Sequence, residues 1–440
     1  MDEVRASFVE TLKRTERMPL PELVRYQAGL AEHLARYAAD KAPFYAERLR
    51  SVLREGAFDP RGWSDIPILT RQELQESLQD IVALDDPTQP GWVVDSRTSG
   101  STGVPLSVQW TWLAHTSTHA MLERLYRWHG LDPNASLAVI RFLKRNKKAA
   151  WPDGLAGGPW SLDGPHGTSH FLNNTTPAHR QAEWLSRTRP RYLSTNPSNL
   201  DALADELGAA GRDVGLEAVI TVGEILTPET RRRVAESLGA KVIDTYGCQE
   251  LGKVALECPE SGLLHICAEN MIVEVLDGND QPVMPGETGR VVLTGFYNLA
   301  MPLIRYAIGD YAETAPGPCS CGRTLPALTR VLGRQRNMFV FADNTRIWPR
   351  TAIVTGLGGL LPLKQFKMIQ TAVDRVELLY VPIDRSHEPD LDAIRTRLRA
   401  NLHPTIDVTL NAVDHIPYGA GGKFEDFVSL VAPNSTRLDS

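Results

Sequence analysis

Residues 98–103 read Thr98-Ser99-Gly100-Ser101-Thr102-Gly103, a run of small residues between the apolar segments 91–94 and 106–110. Glycines allow the backbone to turn its N–H groups to one side, and four hydroxyls supply further hydrogen-bond donors. The stretch therefore predicts a phosphate-binding loop between two strands, with an ordinary polar turn as the alternative. It is not a Walker A loop, because no Gly-Lys-Ser/Thr follows it.

Composition limits the classes of protein that the chain can belong to. A length of 440 residues predicts two or three domains. The formal net charge of −6 indicates no basic face, so we expect no nucleic-acid partner. The sequence has no run of about 18 apolar residues and begins with a charged segment, so we expect neither a membrane span nor a secretory signal. Five cysteines, an odd number, argue against a disulfide framework and favour a cytoplasmic protein.

Hydrophobic periodicity predicts an α/β fold. Helical patterns cover residues 1–60 and 112–129, and strand and helix signals alternate from 137 to 244. This alternation predicts crossover units on a largely parallel sheet. From residue 271, apolar runs between turns, including Leu303–Tyr306, predict strands of a β subdomain. A small α+β region follows residue 334.

One helix start carries a specific signature. Thr70 is followed three residues later by Glu73, the spacing of a capping box. A helix is therefore predicted to begin after Thr70.

Several segments, taken in chain order, resemble motifs of the adenylate-forming acyl-CoA ligase superfamily, and within it of the phenylacetate–CoA ligase-like branch. They are KAPFYAERL with DIPILTRQEL, TSGSTG, VGEILTP, DTYGCQELG, PLIRYAIGD, VLGRQRN and IPYGAGGK. The resemblance covers nearly the whole chain. It implies a large N-terminal adenylation domain over residues 1–333, with mixed sheets, flanking helices and a β subdomain. A small, mobile C-terminal α+β domain over 334–440 would be joined to it by a hinge.

The resemblance also implies roles for the residues that match its motifs. Lys423 would be the catalytic lysine at the α-phosphate, where a cation stabilises developing charge. Glu250 would act in catalysis by holding Mg²⁺, since a carboxylate suits that cation. The ATP-binding residues would be Ser99, Gly100, Ser101, Thr102, Gly103, Gly223, Glu224, Tyr246, Asp310 and Arg334. A core tyrosine, a turn-forming aspartate and a solvated lysine are the alternatives for Tyr246, Asp310 and Lys423.

By the same resemblance, the chain would activate a carboxylic acid with ATP and transfer the acyl group to CoA. An amide synthetase or carrier-loading enzyme, which uses an amine or a carrier-protein thiol, is the first alternative. A non-catalytic nucleotide-binding relative is the second. A homodimer is implied by the resemblance alone.

The acid should bind among residues 137–225, where aromatic density favours an aryl or arylacetic acid and polar residues leave an amino-bearing or other polar acid open. The candidate pocket residues are Phe142, Trp151, Trp160, His170, Phe171, Asn196, Val222 and Gly223.

Four residues form a candidate metal set. Cys319 and Cys321 are a tight pair in a loop, and Cys258 and His265 bracket a turn at 261–262. Three thiolates and an imidazole suit tetrahedral structural zinc. The alternative is a buried Cys258 and a free Cys pair. Cys248 and Cys267 are interpreted as packing residues.

Two departures from the family pattern stand out. The predicted hinge continues as Arg336-Asn337, where the family commonly has aspartates. The second departure is a basic run at Arg141, Lys144, Arg145, Lys147 and Lys148. This run could bind a carboxylate or phosphate of the acid, or the phosphates of CoA, with a solvated basic face as the alternative.

Overall fold

The computed structural model describes residues 2–83, 93–97, 106–143, 149–209, 211, 213–349, 352–386, 388–417 and 425–431. Its α-helices are α1 (Asp2–Thr15), α2 (Leu20–Lys41), α3 (Tyr45–Arg48), α4 (Arg71–Glu76), α5 (Leu78–Ile81), α6 (Trp112–His129), α7 (Ala178–Thr188), α8 (Pro197–Ala209), α9 (Pro228–Leu238), α10 (Ala352–Thr355) and α11 (Leu391–Asn401). None of these helices is both long and apolar enough to cross a membrane.

A parallel sheet forms the middle of the chain. Its strands are β5 (Ser136–Arg141), β6 (Leu155–Gly157), β7 (Thr168–Asn173), β8 (Tyr192–Thr195), β9 (Ala218–Thr221) and β10 (Lys241–Ile243). They lie in the order β10-β9-β8-β5-β7-β6, and only the β6–β7 pair is antiparallel. The predicted crossover units are confirmed, and an apolar core fills the space between this sheet and helices α7, α8 and α9.

An antiparallel sheet follows in the chain. Its strands are β11 (Thr245–Cys248), β12 (Gly252–Glu257), β13 (Leu264–Ile266), β14 (Met271–Leu276), β15 (Thr288–Gly295), β16 (Tyr306–Thr314) and β17 (Ala327–Arg334). The order is β11-β12-β13-β17-β16-β15-β14. Its buried face packs with α1, α2 and α6 in the largest apolar core of the described residues.

The last part of the chain has its own core. Its sheet contains β20 (Leu363–Ala372), β21 (Arg375–Pro382), β22 (Asp407–Ala412) and β23 (Phe427–Ser429) in the order β22-β21-β20-β23. Apolar residues between Phe339 and Phe427 form a separate cluster under helix α11. Three two-stranded pairs complete the described strands: β1 (Leu53–Arg54) with β2 (Ala57–Phe58), β3 (Val93–Arg97) with β4 (Ser107–Thr111), and β18 (Phe339–Val340) with β19 (Arg346–Ile347).

The predicted helix start at Thr70 is confirmed. The Thr70 hydroxyl accepts a hydrogen bond from the Glu73 N–H, and the Glu73 carboxylate accepts one from the Thr70 N–H at 2.9 Å. The reciprocal pair satisfies two N–H groups that have no partner within the helix. Helix α4 therefore begins at Arg71.

The predicted strand over Leu303–Tyr306 is wrong, because β16 begins only at Tyr306. Arg305 has a φ of 48°, in the left-handed region that interrupts an extended strand. Its guanidinium is buried, where it pairs with Glu274 at 3.0 Å and donates to the carbonyls of Ser64 and Ile66. These contacts fix the backbone turn that the apolar pattern did not indicate.

Candidate active site

The carboxyl ends of the parallel strands form one edge of the sheet, and polar side chains collect there. Asn196 follows β8 and donates from Nδ2 to the Val222 carbonyl after β9 at 2.8 Å. The Glu224 carboxylate accepts from the Ser198 N–H in the first turn of α8 at 3.0 Å. Gly223, which lies between Val222 and Glu224 in the chain, has a φ of 79°, a backbone conformation that favours glycine. Ligands of open α/β sheets bind at this edge.

Three predicted nucleotide-binding residues come together beside this edge. The Tyr246 hydroxyl donates to Asp310 Oδ2 at 2.9 Å, and Arg334 Nε lies 3.7 Å from Asp310 Oδ1. Asp310 and Arg334 are register partners on β16 and β17, whereas Tyr246 comes from β11. Burial, and then the Asp310 carboxylate, raise the pKa of Tyr246 well above its usual value, so its phenol remains a donor. We call these residues the nucleotide cluster.

Glu250 lies in the turn between β11 and β12. Its Oε1 is 3.5 Å from Arg71 Nη1, and the Glu250 side chain is only 9% exposed. Sequence reasoning missed Arg71, because the capping box located the start of α4 without indicating what its first residue contacts. The contact brings the start of an N-terminal helix to the candidate magnesium ligand.

The predicted metal set is brought together at the far end of the antiparallel sheet. One ligand atom from each of Cys258, His265, Cys319 and Cys321 lies within 4.8 Å of the others, and all four residues are buried. His265 Nε2 is 3.3 Å from Cys321 Sγ, and Cys319 Sγ is 3.8 Å from Cys258 Sγ.

The surroundings of His265 prepare it to bind a metal ion. His265 Nδ1 lies 3.1 Å from the Leu325 carbonyl, which only accepts, so the proton sits on Nδ1 and the Nε2 lone pair faces the thiols. The donor set and the tautomer fit a tetrahedral zinc ion. Cys267 is fully buried in the main core and Cys248 packs against that core, and neither joins the cluster.

Two parts of the predicted site lie outside the described residues: the phosphate-loop residues Ser99, Gly100, Ser101, Thr102 and Gly103, and the lysine Lys423. Arg97 pairs with Ser107, so the predicted phosphate loop falls in the sequence between the paired ends of β3 and β4. At the predicted hinge, Arg336 forms an ion pair with Glu425, two residues beyond Lys423.

One of the aromatic residues predicted to line the acyl pocket, Trp160, lies elsewhere. Trp160 donates to the Ala135 carbonyl at 2.8 Å, immediately before β5 begins, and packs edge-on against Tyr126. It therefore lies at the amino edge of the parallel sheet, opposite the edge that holds Asn196. Trp151 is partly buried against the core of the parallel sheet, and the guanidinium of Arg187 lies 4.9 Å from its ring.

Comparison with known proteins gives a consistent result. Residues 160–301 match the family described as AMP-binding enzyme. A phenylacetate-coenzyme A ligase of Thermus thermophilus is 27% identical over 454 residues, which cover 94% of this chain and 98% of the relative. The structure of a 2-hydroxyisobutyryl-CoA ligase in the postadenylation state with 2-HIB-AMP matches with a TM-score of 0.75 at 20% identity, covering 95% of this chain and 91% of that one. The same ligase in its thioesterification state matches with a TM-score of 0.61 at 21% identity and equal coverage.

Proposed function

Because the chain belongs to the adenylate-forming acyl-CoA ligase superfamily, in its phenylacetate–CoA ligase-like branch, we propose that it activates a carboxylic acid with ATP and transfers the acyl group to CoA. The proposed enzyme class is therefore an AMP-forming acid–CoA ligase. The homodimer, the cytoplasmic location and the domain boundary between 333 and 334 stay predictions.

The nucleotide cluster is the observation that supports the proposal best. Asp310 offers carboxylate oxygens that would accept hydrogen bonds from the two ribose hydroxyls, and Arg334 Nε lies 3.7 Å from one of them. The ring of Tyr246, fixed by its hydrogen bond to Asp310, supplies a flat apolar surface for adenine. An acceptor for ribose beside a platform for a base is an arrangement that suits a nucleotide.

The chemistry follows in two steps. A carboxylate oxygen of the acid attacks the α-phosphorus of ATP, the bond to pyrophosphate breaks, and an acyl-adenylate forms. Lys423 would stabilise the negative charge that develops on the α-phosphate, while Ser99–Gly103 would hold the β- and γ-phosphates. The thiol sulfur of CoA then attacks the acyl carbon, and AMP leaves with the former carboxylate oxygen.

Two metal ions are part of the proposal. Glu250, a buried carboxylate beside the nucleotide cluster, would hold Mg²⁺, which supplies charge neutralisation for the phosphates. Cys258, His265, Cys319 and Cys321 would hold a structural zinc ion, because four protein ligands leave no position for a substrate. This zinc would tie the β12–β13 hairpin to the loop before β17.

For the acid, we propose an aryl or arylacetic compound that binds at the carboxyl edge of the parallel sheet. The backbone at Val222 and Gly223 and the side chain of Asn196 form one wall of that edge. Thr245, which precedes Tyr246, donates from Oγ1 to the carbonyl of Thr221, the residue before Val222, at 2.8 Å, so an acid bound there lies within reach of the nucleotide.

The test is pyrophosphate release from ATP and Mg²⁺ across a panel of aryl, arylacetic, amino and short aliphatic acids, with and without CoA. We expect release with at least one aryl or arylacetic acid, and a thioester when CoA is present. Release that CoA does not change would assign an amine or carrier thiol as the acceptor. No release with any acid would contradict the adenylation proposal.

A further inference from the structure

Lys253 places an ammonium group at the carboxyl edge of the parallel sheet. It lies on β12, three residues after Glu250, and its side chain is partly buried. Its Nζ donates to Thr245 Oγ1 at 2.9 Å, and Thr245 in turn donates to the Thr221 carbonyl at the end of β9 at 2.8 Å. Thr245 directly precedes Tyr246, so the lysine lies beside the nucleotide cluster and faces the proposed acid site.

Arg141 brings a second cation to the same edge. It is the last residue of β5, and its Nη2 donates to the buried Ser194 hydroxyl on β8 at 2.9 Å. Its Nε is buried and has no hydrogen-bond partner among the described residues. The two cations are held over neighbouring strands, because Ser194 on β8 is the register partner of Ile220, the residue before Thr221 on β9. Burial, and then the charge of Arg141, lower the pKa of Lys253 to about 7. We call Arg141 and Lys253 the basic pair.

The basic pair lacks the counter-charge that other buried cations of this chain have. Arg124 is fully buried and binds both oxygens of Glu269, at 2.6 and 3.0 Å. Buried Arg305 pairs in the same way with Glu274. Within the described ranges, neither Arg141 nor Lys253 forms an ion pair with a carboxylate.

Carboxylates near the basic pair have other partners. Asp244 Oδ1 accepts from the Thr221 hydroxyl at 2.7 Å and from the Thr245 N–H at 2.9 Å. Glu257 pairs with Arg231 at 3.0 Å. Lys253 feels the charge of nearby Asp244 but forms no ion pair with it. Two partly buried cations without an ion-pair partner cost free energy, and a bound anion would lower that cost. The planar guanidinium of Arg141 and the ammonium of Lys253 both suit a carboxylate.

The anion that fits best is a second carboxylate on the acid itself. The reacting carboxylate is expected at Lys423 and must attack the α-phosphorus, and an oxygen held by two cations would be a poorer nucleophile. Resting on the proposed adenylation function, we propose that the substrate is an aromatic dicarboxylic acid whose non-reacting carboxylate binds Lys253 and Arg141. The basic pair is then a specificity-determining subsite of the acyl pocket.

The experiment compares symmetrical aromatic diacids with their own monoamides, which have nearly the same shape but lack one charge. The panel contains isophthalate, terephthalate, 1,3- and 1,4-phenylenediacetate, the four monoamides, benzoate and phenylacetate. Pyrophosphate release gives kcat/KM for each acid at saturating ATP and Mg²⁺. We expect at least one diacid to exceed its monoamide about tenfold or more, which corresponds to about 1.4 kcal/mol.

Variants then assign the preference to the basic pair. Lys253→Met should lower the ratio of kcat/KM for diacid over monoamide about tenfold, chiefly through KM, whereas Lys253→Arg should retain most of the ratio. The control is Lys241→Met, an exposed lysine at the amino end of β10 in the parallel sheet, which should keep the wild-type ratio. Inhibition of phenylacetate turnover by the diacid and by its monoamide gives the same comparison in the wild-type protein, without any variant.

The outcomes separate this inference from the function on which it rests. Pyrophosphate release from monoacids and monoamides that equals or exceeds release from every diacid would overturn the second carboxylate and leave adenylation standing. An increase in KM for CoA in Lys253→Met, with the diacid preference intact, would assign the basic pair to CoA phosphates and also overturn it. No release with any acid would contradict the adenylation proposal itself.

Discussion

Two strands, β12 and β17, connect two clusters of opposite character. At one end of the strands lie the residues of the Cys₃His cluster, which are all buried and whose four ligand atoms are within 4.8 Å of one another. At the other end lie Glu250, which precedes β12, and Arg334, which ends β17 opposite Asp310. The side chains of Asp310 and Arg334 at this end are 15% and 38% exposed.

We expect residues at one end to determine the stability of the fold and residues at the other end to determine its activity. Groups that satisfy one another leave nothing for a substrate, so the Cys₃His end should contribute to the free energy of unfolding. Groups that keep exposed donors and acceptors can bind a ligand, so the nucleotide end should contribute to kcat and KM. Mutations at the two ends test this division.

The largest effect is expected at Lys423. Lys423→Ala removes the cation proposed to stabilise charge at the α-phosphate, and should lower the rate of adenylation about 100- to 1000-fold. Pyrophosphate release with saturating acid and ATP measures the rate, and Lys364→Ala, an exposed lysine on β20, is the control. Full adenylation by Lys423→Ala would remove this residue from the mechanism.

The next effect is expected at Asp310. Asp310→Ala removes the proposed ribose acceptor and the partner of the Tyr246 hydroxyl, and should lower kcat/KM for ATP roughly 10- to 100-fold. The initial rate as a function of ATP concentration gives this value. The control is Glu313→Gln on the same strand, whose carboxylate pairs with Arg330 on β17. Equal values of kcat/KM for Asp310→Ala and wild type would show that Asp310 does not contribute to ATP binding.

Loss of metal should affect stability more than catalysis. The double variant Cys319→Ser/Cys321→Ser should bind no zinc and unfold at a midpoint lower by roughly 5 °C or more, because bound metal stabilises only the folded state. Elemental analysis and thermal unfolding measure the two quantities, with Ser320→Ala as the control. A wild-type protein without zinc would contradict the metal proposal, and an unchanged midpoint would contradict its structural role.

The smallest effect concerns the ion pair between Arg336 and Glu425, which links the end of β17 to the segment after Lys423. Arg336→Glu should slow turnover about 3- to 10-fold, and the swapped variant Arg336→Glu/Glu425→Arg should recover part of the loss. A double-mutant cycle on kcat measures the coupling. Additive effects would show that the pair does not position the Lys423 segment.

Much of the fold could be predicted from the sequence, because most of its elements obey one local pattern each. The crossover units between β5 and β10 and the cap of α4 follow from periodicity and side-chain chemistry. The strand predicted over 303–306 failed because Arg305 takes a left-handed φ that distant carbonyls and Glu274 stabilise. Such contacts leave no local signal.

Site residues that belong to a short sequence motif could be predicted. Residues that reach the site only through a tertiary contact were missed. Tyr246 and Asp310 belong to motifs, and a direct hydrogen bond joins their side chains in the structure. Arg71 lies within the segment DIPILTRQEL and Lys253 directly follows DTYGCQELG, but neither pattern indicates which group these basic residues contact. Only the fold brings them to Glu250 and Thr245.

Adenylation requires that the carboxylate of the acid attacks the α-phosphorus of ATP. An acid from the panel, labelled with ¹⁸O in its carboxylate, is incubated with ATP, Mg²⁺ and CoA, and the products are identified by mass spectrometry. We expect AMP that carries one ¹⁸O atom, unlabelled pyrophosphate and an acyl-CoA thioester. Unlabelled AMP, or label in pyrophosphate or inorganic phosphate, would contradict the adenylation proposal.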